Sequence, residues 1–242
     1  MVDVSKVVVT GATLYGIHTH SDFRRQLLAL NSIKYLVHGG YQVVIVDGGS
    51  IKSFLNSAWT LGAKVFRQGE SGFGNGKREA VARAFETEKE IIALIDLEKF
   101  SYARTLDVTI EEIGKGADLV IPRRVSLESY SEFQRDIEMA GNAYWKLLTE
   151  RDLDVWFGQR TFKRELAVFF LDYGGDNWDA IFVPLIDIIC HGYDTRSVDV
   201  DYTHDPWQVN AEHKDWQFYD KRVQQLNCLT EPLRKRWEKY RR

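Results

Sequence analysis

The 242-residue chain reads as an α/β protein, a mixed, mainly parallel sheet flanked by helices. Three observations predict this. Short runs rich in Val and Ile alternate with helical stretches through the first half, the pattern of strand–helix–strand crossovers. Those runs are apolar at almost every position, as strands covered on both faces are. Each empties into a turn rich in Gly or Asp, where sheets of this kind open a ligand crevice.

"KVVVTG" is the first strand, a β-branched run ending in Thr10 and Gly11. After a polar loop, Ser21 can cap a helix. The helix it opens is predicted to turn Phe23, Leu27, Leu30 and Val37 inward and to stop at Gly39-Gly40. "YQVVIVD" is the second strand, followed by "GGS" and a helix through about Leu61. "AKVFR" is the third strand. "GKREAVARAFETEKE" is a helix with Ala80, Val81, Ala84 and Phe85 facing inward. "EIIALID" is the fourth strand, a helix runs from about Arg104 to Lys115, and "DLVIP" is the fifth strand.

The second half is less regular. "YSEFQRDIEMAGNAYWKLLTE" is predicted helical, with Phe133, Ile137, Ala140, Tyr144 and Leu147 or Leu148 inward. "VWFGQRTFKREL" leads through a Gly turn into another helix. "WDAIFVPLIDIICHGY" is a buried helix, with Pro184 expected in its first turn. "TRSVDVDYTH" is a late strand. No repeat, low-complexity linker or composition break divides the chain, so residues 1–242 form one domain.

The composition excludes several classes. Hydrophobic residues make up 44%, enough for a substantial core, and the net charge of -3 speaks against nucleic acid as a partner. Cys190 and Cys228 lack metal-type spacing and read as reduced thiols of a cytoplasmic protein. A strand begins almost at residue 1, leaving no room for a signal peptide, and no apolar run spans a bilayer. "LRKRWEKYRR", at 233–242, carries six basic residues and one acidic residue. It reads as a solvated helix end suited to the helix dipole. Peripheral contact with an anionic membrane is the alternative, kept open by Trp237 and Tyr240.

The chemistry-bearing residues gather at the strand ends. "IALIDLEKFS" closes an apolar strand with Asp96 and Glu98. Alternate side chains of an extended segment point the same way, so the two carboxylates repel unless a cation joins them. Surface carboxylates partnered by Lys99 are the competing reading. Asp47, before Gly48-Gly49, suits a ribose or base, or else caps the next helix. "ESGFGNGKRE" places Gly72, Gly74 and Gly76 just before a helix start, with Lys77 and Arg78 adding positive charge. Backbone there can approach phosphate closely, although neither a P-loop nor a dinucleotide fingerprint is present.

Together "VVIVDGGS", "GNGKREAVARAFE", "IIALIDLEKFS" and "FGQRTFKREL" resemble the successive motifs of glycosyltransferases with the type A fold, a Rossmann-like sheet. The style is that of family 2, which includes dolichyl-phosphate mannose synthase and soluble sugar-glycerate synthases. The resemblance spans roughly residues 6–205. It implies a nucleotide-binding half over 1–122, an acceptor half over 123–212 and a helical basic tail over 213–242. It implies a nucleoside diphosphate sugar as donor, UDP- or GDP-linked, and a small or lipid-linked acceptor. Thr10, Gly11, Asp47, Gly76, Lys77 and Asp96 would bind the nucleotide. Asp96, Glu98 and His204 would hold a divalent cation, Mn²⁺ or Mg²⁺, with Glu98 departing from the family's second Asp. Gly158, Gln159 and Arg160 would meet the acceptor or phosphate, with Arg164 more peripheral. Asp179 or Asp176 would serve as base if the reaction inverts the anomeric carbon. His18 and His20 are further candidates beside the donor, and Trp178, Trp207 and Trp216 beside the acceptor. A homo-oligomer is left open. Two rival readings remain: nucleotidyl transfer onto a sugar phosphate, disfavoured because "TGATLYGIHTH" lacks the expected Gly-rich, Arg-containing loop, and a catalytically silent sugar-nucleotide binder.

Overall fold

A computed structural model describes residues 3–16, 20–212 and 216–241. In chain order its strands are β1 (Val7–Thr13), β2 (Gln42–Asp47), β3 (Lys64–Arg67), β4 (Ile91–Leu94), β5 (Leu119–Arg124), β6 (Arg160–Lys163) and β7 (Thr195–Val200). The helices are α1 (His20–His38), α2 (Lys52–Thr60), α3 (Phe73–Phe85), α4 (Phe100–Ala103) and α5 (Leu106–Gly114). They continue with α6 (Glu132–Thr149), α7 (Ala167–Asp172), α8 (Asp179–Cys190), α9 (Pro206–Glu212) and α10 (Trp216–Arg241).

The strands form one sheet in the order β3-β2-β1-β4-β6-β5-β7. β1 pairs in parallel with β2 and β4, β2 with β3, and β5 with β7. β6 runs antiparallel to both β4 and β5. The chain leaves β1 toward β2 on one side and returns to β4 on the other. The crevice therefore opens at the carboxyl ends of β1 and β4.

Alternation sorts the strand residues onto two cores. Val7, Val9, Val43, Ile45, Ile91 and Ala93 face α1, α2, α4 and α5. Val8, Val44, Val46, Ile92, Leu94, Leu119 and Ile121 face the layer containing α3, α7, α8 and α10. Central strands buried on both faces thus explain the uninterrupted apolar runs.

Several sequence expectations need correction. Arg160–Lys163 is a strand, not part of a turn leading into a helix. Its R-T-F-K pattern is not apolar because an antiparallel strand wedged between β4 and β5 draws its stability from those neighbours. α3 begins at Phe73, so Gly74 and Gly76 lie inside its first turns and not in a loop before it. A Cβ at Gly74 would meet the Asp176 backbone at 2.5 Å, and one at Gly76 would meet Gln68 Oε1 at 2.9 Å. Close packing requires glycine there. On α1, Phe23 and Leu27 are exposed while Leu28, Ala29, Ile33 and Leu36 are buried. Pro184 lies in the interior of α8, beyond its first turn.

α6 is rotated from its predicted orientation. Gln134, Glu138, Gly141, Trp145 and Thr149 are buried, whereas Leu147 is 81% exposed. The cause is polar: Glu138 faces inward to meet the buried Arg124 guanidinium. Phe133 and Tyr144 instead reach α10, the ring of Phe133 lying 4.4 Å from that of Tyr219 and the Tyr144 hydroxyl donating to the Thr230 carbonyl.

The C-terminal segment is a packed helix. Leu229 and Leu233 of α10 are fully buried, and Trp237 packs on the same core. Its basic residues find internal partners: Arg236 with Asp187, Arg234 with Glu238, Lys235 with Glu231, and Arg241 with Glu150. No described helix is long and apolar enough to cross a membrane.

Candidate active site

β4 ends at Leu94, and residues 96–99 turn, the Lys99 amide donating to the Asp96 carbonyl at 3.0 Å. Leu97 is fully buried in that turn, which leaves Asp96 and Glu98 at the mouth of the sheet. Gly11 lets β1 approach this segment, since a Cβ there would stand 2.5 Å from the Ile95 carbonyl oxygen.

Each carboxylate is held by cations. Lys77, only 2% exposed, donates to Asp96 Oδ1 at 2.6 Å, and Lys99 stands 3.3 Å from Oδ2. Gln159 fixes the same residue twice: its Oε1 accepts from the Asp96 amide at 2.8 Å, and its Nε2 donates to Oδ2 at 3.1 Å. Gly158 precedes it with φ of 86°, and a Cβ on Gly158 would lie 3.5 Å from Asp96 Oδ2. Glu98 accepts from Arg25 Nη2 at 2.8 Å and from the Tyr15 hydroxyl at 2.8 Å. Burial alone would raise the Asp96 carboxyl, but Lys77 and Lys99 hold it far below the usual carboxylate range. Burial likewise opposes ionisation of Glu98, and Arg25 lowers it despite the neighbouring Asp96. Both are therefore ionised in a confined space.

A cavity of about 380 Å³ opens over them. Asp96, Glu98, Gly158 and His204 share its lining with Arg25, Lys99, Gln134, Glu138 and Trp178. Gln217, Phe218, Lys221, Arg222 and Gln225 of α10 form a further wall. His204 is 3% exposed, stacked on Tyr130 at 4.6 Å, with Nδ1 2.9 Å from the Tyr202 hydroxyl. Beneath the wall, Arg124 pairs with Glu138 and, at 2.6 Å, with Asp154. Its guanidinium lies over the rings of Tyr130 and Phe157, at 5.1 and 4.8 Å. The Phe157 carbonyl accepts from Lys99 at 2.5 Å. Arg124 thus ties the His204 stack and the Gly158 turn to one buried charge.

Other predicted site residues are placed differently. Asp47 is buried, one oxygen accepting from Thr13 and the other from the Gly49 and Ser50 amides. It caps its own turn and is not in the cavity lining. The Thr10 hydroxyl is spent on the Ala80 carbonyl at 2.9 Å. Arg160 is fully buried, donating to the Gln159 and Val155 carbonyls and lying over Phe182, so its guanidinium does not line the cavity. Arg164 lies over Phe85, away from the site. Asp179 accepts from the Tyr173 hydroxyl and the Asn177 amide at the start of α8. The Asp176 carbonyl accepts from the Gly74 amide. Neither aspartate lines the cavity, because the turn before α8 is drawn onto α3. Trp207 and Trp216 are exposed and outside the lining. His18 lies outside the described residues, as does the side chain of His20.

Sequence reasoning missed Tyr15, Arg25, Arg124, Gln134, Glu138, Lys221 and Arg222. One signal was legible: Gln134, Glu138, Gly141 and Trp145 recur at helical spacing, a stripe that a buried polar site would occupy. Arg25 carried none, being one charge among several on α1.

No family model matches the chain, and no curated protein matches it. Solved structures do. Mycobacterium tuberculosis glucosyl-3-phosphoglycerate synthase superposes with a TM-score of 0.68 at 18% identity, over 96% of this chain and 80% of that one. Its complex with Mn²⁺, UDP-glucose and phosphoglyceric acid gives 0.68 at 16% identity, over 96% and 79%. The fold is that of the type A glycosyltransferases. A mycobacterial protein of unstated activity matches similarly, with a TM-score of 0.65 at 15% identity over 96% and 74%.

Proposed function

We propose that this protein transfers a hexose from a nucleoside diphosphate sugar to a hydroxyl of a small acceptor. The observation that carries the reading is the convergence of Lys77, Gln159 and Lys99 on Asp96 at the mouth of β4, under one cavity. That arrangement occurs in a fold shared with a synthase whose structures hold UDP-glucose and phosphoglyceric acid. UDP-glucose is accordingly the first donor to test, and a small acid bearing a hydroxyl the first acceptor.

A divalent cation fits the donor set. Among the described residues no three His, Cys, Asp or Glu side chains form a ready-made cation site. Cations held by one or two carboxylates complete their shell with substrate phosphates, and Asp96 and Glu98 are such a pair. His204 lines the same cavity and is the third candidate donor; imidazole with carboxylates suits Mn²⁺. A bound ion would supply the charge that offsets the departing diphosphate. Lys77 and Lys99 stand on Asp96 and can turn to the phosphates as negative charge develops. Gln159 keeps the carboxylate oriented during that exchange. The Gly158 turn leaves room beside Asp96 for the sugar. Asp176 and Asp179 frame the start of α8 in this reading.

The test is glucosyl transfer from UDP-glucose to phosphoglyceric acid with Mn²⁺, alongside UDP titration calorimetry. We expect turnover by the wild type and its loss in Asp96→Asn. Equal turnover by both would remove the Asp96 assignment. UDP binding without turnover across donors and acceptors would favour a silent binder.

A further inference from the structure

The cavity walls differ in how their charges are matched. Three carboxylates of the lining each have a cation: Asp96 has Lys77 and Lys99, Glu98 has Arg25, and Glu138 has Arg124. Two cations of α10, unlike Arg234, Lys235, Arg236 and Arg241, hold no carboxylate within ion-pair distance among the described residues. Lys221 and Arg222 line the cavity, and among the described residues neither forms an ion pair. Arg222 Nη1 donates to the neutral Gln225 amide oxygen at 3.0 Å, and its guanidinium lies 5.0 Å from the Phe218 ring centre. Its Nε is buried without a hydrogen-bond partner. A buried charged donor left unpaired is costly, and an anion in the cavity offsets that cost through its charge on the guanidinium. Gln217 and Gln225 flank the pair with further hydrogen-bonding groups. α10 packs on α6 and α8, the second half of the fold.

The geometry points to Lys221 and Arg222 as the pair that selects an acceptor carrying a negative charge, a phosphate or a carboxylate. This rests on the transfer reading above and adds to it a wall supplied by the C-terminal helix. The donor diphosphate meets Lys77, Lys99 and Arg25 at the sheet. The α10 pair meets the acceptor's anionic group and so holds its hydroxyl over the floor.

The double variant Lys221→Gln/Arg222→Gln keeps polar side chains and removes both charges. Titrations of the full-length protein with phosphoglyceric acid, in the presence of UDP and Mn²⁺, should show affinity falling about tenfold or more, the loss expected from two charge-assisted hydrogen bonds. UDP affinity should move by less than about twofold. The charge-keeping variant Lys221→Arg/Arg222→Lys, with an unchanged melting temperature as control, should restore most acceptor affinity. If UDP weakens as much as phosphoglyceric acid, the pair serves the donor and the assignment falls. Equal binding of phosphoglyceric acid by wild type and double variant also overturns it. Inorganic phosphate, titrated alone and followed by backbone amide shifts on α10, separates this from the function itself. Phosphate binding lost in the double variant upholds the anion pair even if no sugar is transferred. Absent or unaltered phosphate binding refutes it.

Discussion

Asp96 is where charge, hydrogen bonding and close packing meet. Its carboxylate is held ionised by Lys77 and Lys99 against the cost of burial. Lys77→Met removes the shorter of those contacts and should lower kcat/KM for sugar transfer about a hundredfold, the scale of losing one placed electrostatic contact. Steady-state kinetics with UDP-glucose checks it. Asp179→Asn should change kcat by less than about threefold, because its carboxylate serves Tyr173 and the start of α8. A fall comparable to that of Asp96→Asn would return Asp179 to the reacting centre. Gly158→Ala places a side chain at a φ of 86° beside Asp96. It should cost about 1–2 kcal/mol of stability, measurable by urea unfolding, and loosen the Gln159 clamp. The two carboxylates and Lys77 were legible because they follow an apolar strand and open a helix. Arg25 was not, since its bond to Glu98 joins helix α1 to a turn far along the chain.

At the scale of elements, α6 shows a buried charge overriding hydrophobic patterning. Glu138 and Asp154 surround Arg124, whose side chain is fully buried. Burial opposes both carboxylates, but Arg124 lowers them below their ordinary values. A lowered folded pKa contributes stability that is present above the unfolded value and lost as pH falls through the folded one. The wild type should therefore lose stability below about pH 4, near the unfolded carboxylate values. Glu138→Gln should flatten that acid limb. At pH 7 it should destabilise by about 3–5 kcal/mol, because the guanidinium loses a buried partner. Unfolding free energies measured from pH 7 to pH 3 for both proteins test this. An acid limb as steep in the variant would show that folding leaves the Glu138 pKa unshifted and overturn its pairing with Arg124 as the source of the limb. The same network explains the wrong face assigned to α6. Counting apolar residues at helical spacing selects Leu147 or Leu148, of which only Leu148 packs on the core, while the Arg124 guanidinium selects Glu138 as the buried position.

At the scale of the whole molecule, the C-terminal helix closes both the core and the cavity. Leu229 and Leu233 are fully buried against the layer below the sheet. Leu229→Ala should cost about 2–5 kcal/mol, far more than a change on a solvated basic tail would. A shift in the urea midpoint with unchanged slope would confirm it. The amino-acid sequence by itself determined the α/β architecture, most of the sheet strands, and the exit of Asp96 and Glu98 from β4. These follow from local signals: uninterrupted apolar runs, helical spacing and glycine turns. Only the tertiary structure decided which cations hold those carboxylates, the strand nature of Arg160–Lys163, the inward face of α6 and the arrival of α10 over the site. Each depends on pairing between segments distant in the chain. The energy of such a pair is set by burial and distance after folding, and no residue's immediate neighbours carry that information.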